Sequence, residues 1–262
     1  RAKFKEAALF KRIVESLKST IDKTNFDCSD VGIAVQCMDN SQVSLVSLLI
    51  EKDAFEDYSC DKEITLGINL THLSKILKAL DTDCVLTLEV KDPKDAVLTI
   101  TAEGKDRTIK FGLNLVDIDS SGVQIPDMER DATVTMPSAD FMKITKDFTA
   151  LGDESITINV EKDELSFVSK GMMCNTCMTL KTTGSVDDES ALEIECEKSV
   201  SASFALKQIS EFAKSAPISE KVKLQLCKDS PLEIEFKGEA CLLKFYLAPK
   251  FDGDNDGDNE ED

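Results

Sequence analysis

The sequence predicts an α+β protein made of two duplicated domains, each combining antiparallel sheets with two helices. Three observations carry that prediction. Apolar residues alternate with period two over most of the chain, as the half-buried strands of antiparallel sheets require. Only four segments change to helical spacing. The order of helices and strands then repeats: Phe10 to Phe141 is an offset of 131, Leu70 to Ala205 of 135, and Lys91-Asp92 to Lys228-Asp229 of 137. Offsets that agree this closely mark an internal duplication with a period of about 134 residues.

Taken in chain order, the first helix, roughly 9–21, sets Phe10, Ile13, Val14, Leu17 and Ile21 on one stripe. Ile64, Leu66 and Ile68 alternate as a strand before the second helix, 71–80, whose stripe is Leu73, Ile76, Leu77 and Leu80. Leu86, Leu88 and Val90 continue the strand pattern. The third helix, 138–152, carries Phe141, Ile144, Phe148 and Leu151, with Ser138 after Pro137 as its expected N-cap and Gly152 as its stop. Strands follow at Ile156, Ile158, Val160 and at Leu192, Ile194, Cys196, then the fourth helix, 205–216, then strands at Val222, Leu224, Leu226 and Leu232, Ile234, Phe236. Between the halves, 116–132 has Gly, Pro, Ser and Asp without a sustained period and reads as an exposed connector. The expected organisation is therefore an N-terminal domain over 1–115, the connector over 116–132, a C-terminal domain over 133–251 and an acidic, disordered tail over 252–262.

Composition narrows the class. The 262 residues are 42% hydrophobic, enough for a sizeable core, and no apolar run approaches the roughly 18 residues of a membrane span. The first residues alternate charge with apolar groups where a signal peptide would be uninterruptedly apolar, so an intracellular protein is expected. Nine cysteines without framework spacing, with Cys84 and Cys196 in phase with apolar strand residues, point to free thiols and a reducing compartment. Lys and Arg number 31 against 50 Asp and Glu, a formal charge of −19. Such a balance normally repels phosphate, unless the distribution of charge overrules the total.

The distribution is unusual. On the far side of each apolar stripe lie basic residues: Lys11, Arg12 and Lys18 on the first helix, Lys75 and Lys78 on the second, Lys143 and Lys146 on the third, Lys207 and Lys214 on the fourth. Lysine is common on any solvated helix face, but four faces out of four in so acidic a chain call for a ligand. If the fold gathers these faces onto one surface, a positive lane results, and phosphate backbone is its natural ligand. Eight of the nine are lysine, a flexible point charge without arginine's bidentate fork, so base reading is not expected. With no Trp and two Tyr, stacking on single strands has little support either. A duplex contacted through its phosphates remains.

Other signals are weak. Cys174 and Cys177 form a lone CxxC without the second pair a zinc site needs. Asp252 to Gly257 matches the opening of a calcium loop, but position 12 would fall beyond the last residue. His72 is the only histidine and has no nucleophile pattern beside it. A thiol- or histidine-dependent enzyme using Cys174 or His72 is thus the disfavoured reading; no catalytic residues, metal or cofactor are expected.

Three stretches, 32–55 (GIAVQCMDNSQVSLVSLLIEKDAF), 60–80 (CDKEITLGINLTHLSKILKAL) and 243–250 (LKFYLAPK), resemble the eukaryotic proliferating cell nuclear antigen family of DNA sliding clamps. The likeness spans nearly the whole chain. It implies a nuclear processivity factor: a homotrimeric ring with helices lining the hole and sheets outside, binding the clamp loader, DNA polymerases and other replication and repair proteins. A subunit of the heterotrimeric checkpoint clamp is the alternative within the class, and the intact connector and terminal stretch favour the replicative form. By position, the resemblance assigns the nine helix residues and Arg107 to the DNA lining. It assigns Phe111 and Thr176 to a contact in which 106–115 pairs with 171–180 of the next chain. The pocket for a glutamine/aliphatic/aromatic peptide falls on Met38, Gln42, Val43, Leu45, Val123, Ile125, Pro231, Tyr246, Ala248 and Pro249. Gln42 stands where the family commonly has histidine. Lys162 matches the ubiquitin-acceptor lysine.

Overall fold

The computed structural model describes residues 1–91, 96–119, 125, 129–182 and 192–250. The first half runs β1 (Ala2–Phe4), α1 (Ala7–Lys18), β2 (Lys23–Cys28), β3 (Gly32–Met38), β4 (Ser44–Glu51), β5 (Asp57–Tyr58), β6 (Ile64–Asn69), α2 (Leu70–Lys78), β7 (Val85–Glu89), β8 (Val97–Glu103) and β9 (Thr108–Asn114). The second half runs β10 (Ala132–Pro137), α3 (Ser138–Ala150), β11 (Ser155–Val160), β12 (Glu164–Lys170), β13 (Asn175–Lys181), β14 (Glu193–Cys196), β15 (Val200–Ala205), α4 (Leu206–Ala213), β16 (Lys221–Leu226), β17 (Leu232–Lys237) and β18 (Cys241–Leu247). Short 3-10 turns occupy Lys52–Ala54 and Ala216–Ile218.

The duplication is complete at the level of pairing. In the first half β5-β1-β7-β8-β9 forms one sheet and β4-β3-β2-β6 another; the second half repeats both orders, as β14-β10-β16-β17-β18 and β13-β12-β11-β15. Among the described residues one strand pairing joins the halves: β18 lies antiparallel to β4, with Phe245 opposite Val46, fusing two sheets into one of nine strands. Among the described residues the equivalent strands in the other two sheets, β9 and β13, each pair on one side only.

Alternation decides which face of each sheet the helices cover. Phe212 of α4 stacks on Phe245, with ring centroids 4.4 Å apart and planes 14° apart, so Tyr246, the next residue of β18, faces away from the helices. Phe10, Ile13, Val14 and Leu17 of α1 are wholly buried, as are Phe141 and Phe148 of α3. Burial of each such side chain contributes about 1.5–3 kcal/mol.

Helix ends depart in part from expectation. Asn69 caps α2 by accepting from the His72 N–H at 2.9 Å. Ser138, expected to be an N-cap, is instead the first residue of α3, with its hydroxyl buried and unpartnered among the described residues. The reason is the direct passage from β10: the helix starts at once after the strand, which puts Pro137 at the cap position and Ser138 inside the first turn, its N–H donating to the Glu220 carbonyl at 2.8 Å. Gly152 does stop α3, at a φ of +78° that favours glycine. The fourth helix ends at Ala213, the remainder of its expected span turning into the 3-10 segment. Its buried residues are Leu206, Ile209, Phe212 and Ala213.

Candidate functional site

The four helices form one continuous layer. α1 packs on α2 and α3 on α4, and the two pairs meet where the Ser19 hydroxyl donates to the Glu211 carbonyl at 3.2 Å and Arg12 donates to the Pro217 carbonyl at 3.3 Å. Within the second pair the hydroxyls of Thr149 and Ser210 lie 2.7 Å apart. The basic residues of all four helices therefore share one layer, the condition under which scattered lysines become a lane.

They are not equally available. Lys75, Lys143, Lys146 and Lys207 are exposed, and no ion pair engages them among the described residues. Lys78 pairs with Glu15 at 3.5 Å, Lys214 with Glu211, and Arg107, on the β8–β9 turn, with Asp81 at 2.9 Å. Lys11 and Lys18 differ from the outward position expected of them: both are half-buried, Lys11 donating to the Leu80 carbonyl and Lys18 to the Ser74 hydroxyl at 3.4 Å. Helix packing explains this, because α2 lies against α1 and brings the Leu80 carbonyl, just past its end, and the Ser74 hydroxyl within reach of the two lysines. Burial pushes the Glu15 carboxyl up, but the Ser74 hydroxyl and the Lys78 and Lys18 ammonium groups outweigh it and hold Glu15 below its ordinary value.

The predicted pocket residues gather on the opposite, helix-free face. The strand register places Met38 opposite Leu45, and Leu45 opposite Tyr246, so three of them form one cross-strand row. Ala248 donates its N–H to the Val43 carbonyl at 3.0 Å and brings the C-terminal strand end to the β3–β4 hairpin. That hairpin is organised by Asp39, whose carboxylate accepts the N–H groups of Val43 at 3.0 Å and Ser44 at 2.9 Å. Gln42 at its tip is exposed, with a φ of +58°. Met38 and Val43 are exposed, 38% and 40%, unusual for large apolar groups and fitting a recognition surface. Pro231, Pro249 and Ile125 are half-buried and Ala248 exposed; Val123 lies outside the described residues.

Sequence reasoning missed what continues this row. Opposite Tyr246 stands Glu233, and opposite Glu233 stands Gln225, both buried. Glu233 pairs with Lys244 at 2.6 Å and Arg130 at 3.6 Å, and Lys244 also reaches Glu235 at 3.0 Å. Burial pushes the Lys244 ammonium down, but the two carboxylates outweigh it and raise it. The connector is anchored nearby: the Asp131 carboxylate accepts the Lys228 N–H at 3.0 Å, which lowers its pKa, and Val116 at the other end donates to the Gly67 carbonyl at 2.9 Å.

Of the remaining candidates, Phe111 is half-buried on β9, Thr176 half-buried on β13, and Lys162 exposed at the β11–β12 turn. His72 on α2 and Cys174 before β13 sit in different halves and are not brought together. Cys28 and Cys241 have their thiols pushed up to about 12 by burial, the reverse of nucleophile activation. Among the described residues no His, Cys, Asp or Glu cluster is arranged to hold a metal, and no helix is long and apolar enough to cross a membrane. The tail 252–262 lies outside the described residues.

Two like halves sharing one sheet, helices in a single layer and an open edge strand in each outer sheet define the class: a two-domain subunit of clamp architecture. Residues 1–124 match the family description "Proliferating cell nuclear antigen, N-terminal domain" and residues 124–251 its C-terminal counterpart. The chain belongs to the proliferating cell nuclear antigen family. It is 40% identical to the proliferating cell nuclear antigen of Chaetomium thermophilum over 97% of this chain and 98% of that one. It is 36% identical to that of Caenorhabditis elegans, over 98% and 99% respectively. A crystal structure of the protein from Entamoeba histolytica superposes with a TM-score of 0.89 at 66% identity, covering 95% of this chain and 98% of the other.

Proposed function

We propose that three copies of this chain close into a ring around duplex DNA, with the helix layers inward and β9 of each chain paired to β13 of the next. The chain is a DNA sliding clamp subunit, a processivity factor. The observation that carries the ring is the internal junction. β18 and β4 are the repeat equivalents of β9 and β13, and within the chain they pair. Ile100 opposite Phe111 repeats Ile234 opposite Phe245, and Phe167 opposite Met178 repeats Val35 opposite Leu48. Carried through the repeat, the Phe245–Val46 pairing becomes Phe111 opposite Thr176 of the neighbouring chain. Head-to-tail contacts of this kind close into rings, and pairing removes two strand edges that otherwise expose backbone donors and acceptors.

Within the ring the unpaired Lys75, Lys143, Lys146 and Lys207 supply most of the phosphate attraction. Lys11, Arg12, Lys18, Lys78, Arg107 and Lys214 supply less, each being already engaged by the protein's own acceptors. Weak contacts suffice, because topology retains the ring while it slides. The cleft of Met38, Gln42, Val43, Leu45, Tyr246, Ala248 and Pro249, completed by Pro231, Ile125 and Val123 of the connector, receives short glutamine/aliphatic/aromatic segments of polymerases, the clamp loader and other partners. Residues 1–115 and 133–251 act as the two domains and 116–132 as their connector. The protein works in the nucleus as a non-catalytic tether, and Lys162 is available for ubiquitin. Light scattering tests the ring. A mass of three chains is expected at micromolar concentration, falling toward one chain in Phe111→Ala; a monomeric parent, or a variant that stays trimeric, sinks the assignment.

A further inference from the structure

The row Met38–Leu45–Tyr246 does not stop where its apolar character stops. It runs on, strand by strand, into Glu233 and Gln225. Both are buried, at 2% and 5% exposure. Buried polar groups are ordinarily satisfied, yet the Gln225 Oε1 atom has no donor among the described residues. Donors near the two buried groups are few among the described residues: Glu233 is held by the part-buried Lys244, which Glu235 shares, while Lys223 stands across from Glu235 in the next row. The second cation, Arg130, is different in kind. Its side chain is 53% exposed, it belongs to the connector, and it stands off Glu233 at 3.6 Å against 2.6 Å for Lys244. With Arg130 swung aside, the buried Glu233 carboxylate would keep only an ammonium that it shares with Glu235, and another cation could take the vacated place at a gain.

We propose that Glu233 and Gln225 form a polar compartment adjoining the partner cleft that accepts a lysine or arginine side chain of the bound segment, with Arg130 as its displaceable occupant. The proposal rests on the cleft being the partner site. Glu233 is then a specificity-determining residue: it selects, among segments with the same apolar anchors, those that carry a cation at the position reaching past Tyr246. Arginine suits the compartment better than lysine, because its several donors can serve the Glu233 carboxylate and the Gln225 oxygen together.

The probes are synthetic peptides of glutamine/aliphatic/aromatic pattern, neutral outside their anchors, and a series in which one arginine is moved through the flanking positions. Calorimetry on the full-length trimer measures each. Binding of the neutral parent peptide tests the cleft itself, and its failure would overturn the cleft and not merely the compartment. With the cleft established, one arginine position is expected to gain about tenfold in affinity. The gain should disappear in Glu233→Gln and grow in Arg130→Gln, where the displaceable cation no longer competes. No gain at any position, a gain retained in Glu233→Gln, or a gain unchanged in Arg130→Gln overturns the compartment. If Glu233→Gln does not fold, Arg130→Gln decides alone, since its half-exposed side chain leaves the core intact.

Discussion

Lys75 and Lys78 lie one turn apart on α2 and carry the same charge, but only Lys78 is held by Glu15, at 3.5 Å. The two should therefore differ as DNA contacts. Each phosphate neutralised adds about 0.9 to the slope of log affinity against log salt, so a fourfold rise in salt weakens one contact by about 3.5-fold. Replacing one lysine in all three chains of a ring removes at most three contacts, an upper limit of roughly 40-fold over that range. Lys75→Ala is expected to approach this limit. Lys78→Ala should change the slope by less than half as much, because its ammonium must leave Glu15 before it reaches a phosphate. Removing that competitor gives an internal control: in a Glu15→Gln background, Lys78→Ala should cost as much as Lys75→Ala. Fluorescence anisotropy of a short linear duplex, titrated with trimeric protein at salt concentrations from about 50 to 200 mM, reads the slopes. An unchanged slope in Lys75→Ala, or equal slopes in the two variants, would refute the inference that local ion pairs set the strength of each contact.

Two further outcomes are expected. Double substitution of Val123 and Ile125 by Ala should weaken a glutamine/aliphatic/aromatic peptide by at least about tenfold by calorimetry while the trimer persists, since losing about 1.4 kcal/mol of apolar anchoring is tenfold; equal binding would show that the connector contributes nothing to the cleft. Because the folded Glu15 carboxyl titrates below its ordinary value of 4.5, its stabilisation is fully present above that pH and lost as pH falls through the lower folded value. The difference in melting temperature between the parent and Glu15→Gln should therefore be constant near neutral pH and shrink below pH 4.5; a difference that grows with acid would contradict the sign.

The sequence carried the repeat, the four amphipathic helices and most strand faces, because periodicity records burial directly. Phe10, Ile13, Val14 and Leu17 are buried as their spacing requires. Which strands meet across the two halves was not readable: nothing in Phe245 or Val46 announces the other, since each is simply an inward-facing apolar residue. Lys11 and Lys18 look solvent-facing on an isolated α1, and only the neighbouring α2 turns them into donors for Leu80 and Ser74. Glu233 and Glu235 are a similar case. Alternating with Leu232 and Ile234, they read as an ordinary polar strand face, and the burial of Glu233 and part-burial of Glu235 show only in three dimensions. Ser138 failed as a cap because the helix begins directly from β10, one residue earlier than expected, with Pro137 at the cap position.

The junction of β18 with β4 has a kinetic meaning for any ring the chain builds. A ring of three two-repeat chains contains six like seams, but they obey different laws. Three lie inside a chain, where the connector keeps the partners at a fixed, high effective concentration and a parted seam closes again as a unimolecular event. The other three follow mass action, so dilution loosens them alone. Strands of equivalent place in the repeat thus give permanent seams and gates in alternation. A loader that must admit DNA can pry open any gate without disturbing the nine-stranded sheet, and a peptide-linked dimer of this chain would turn one gate into a seam.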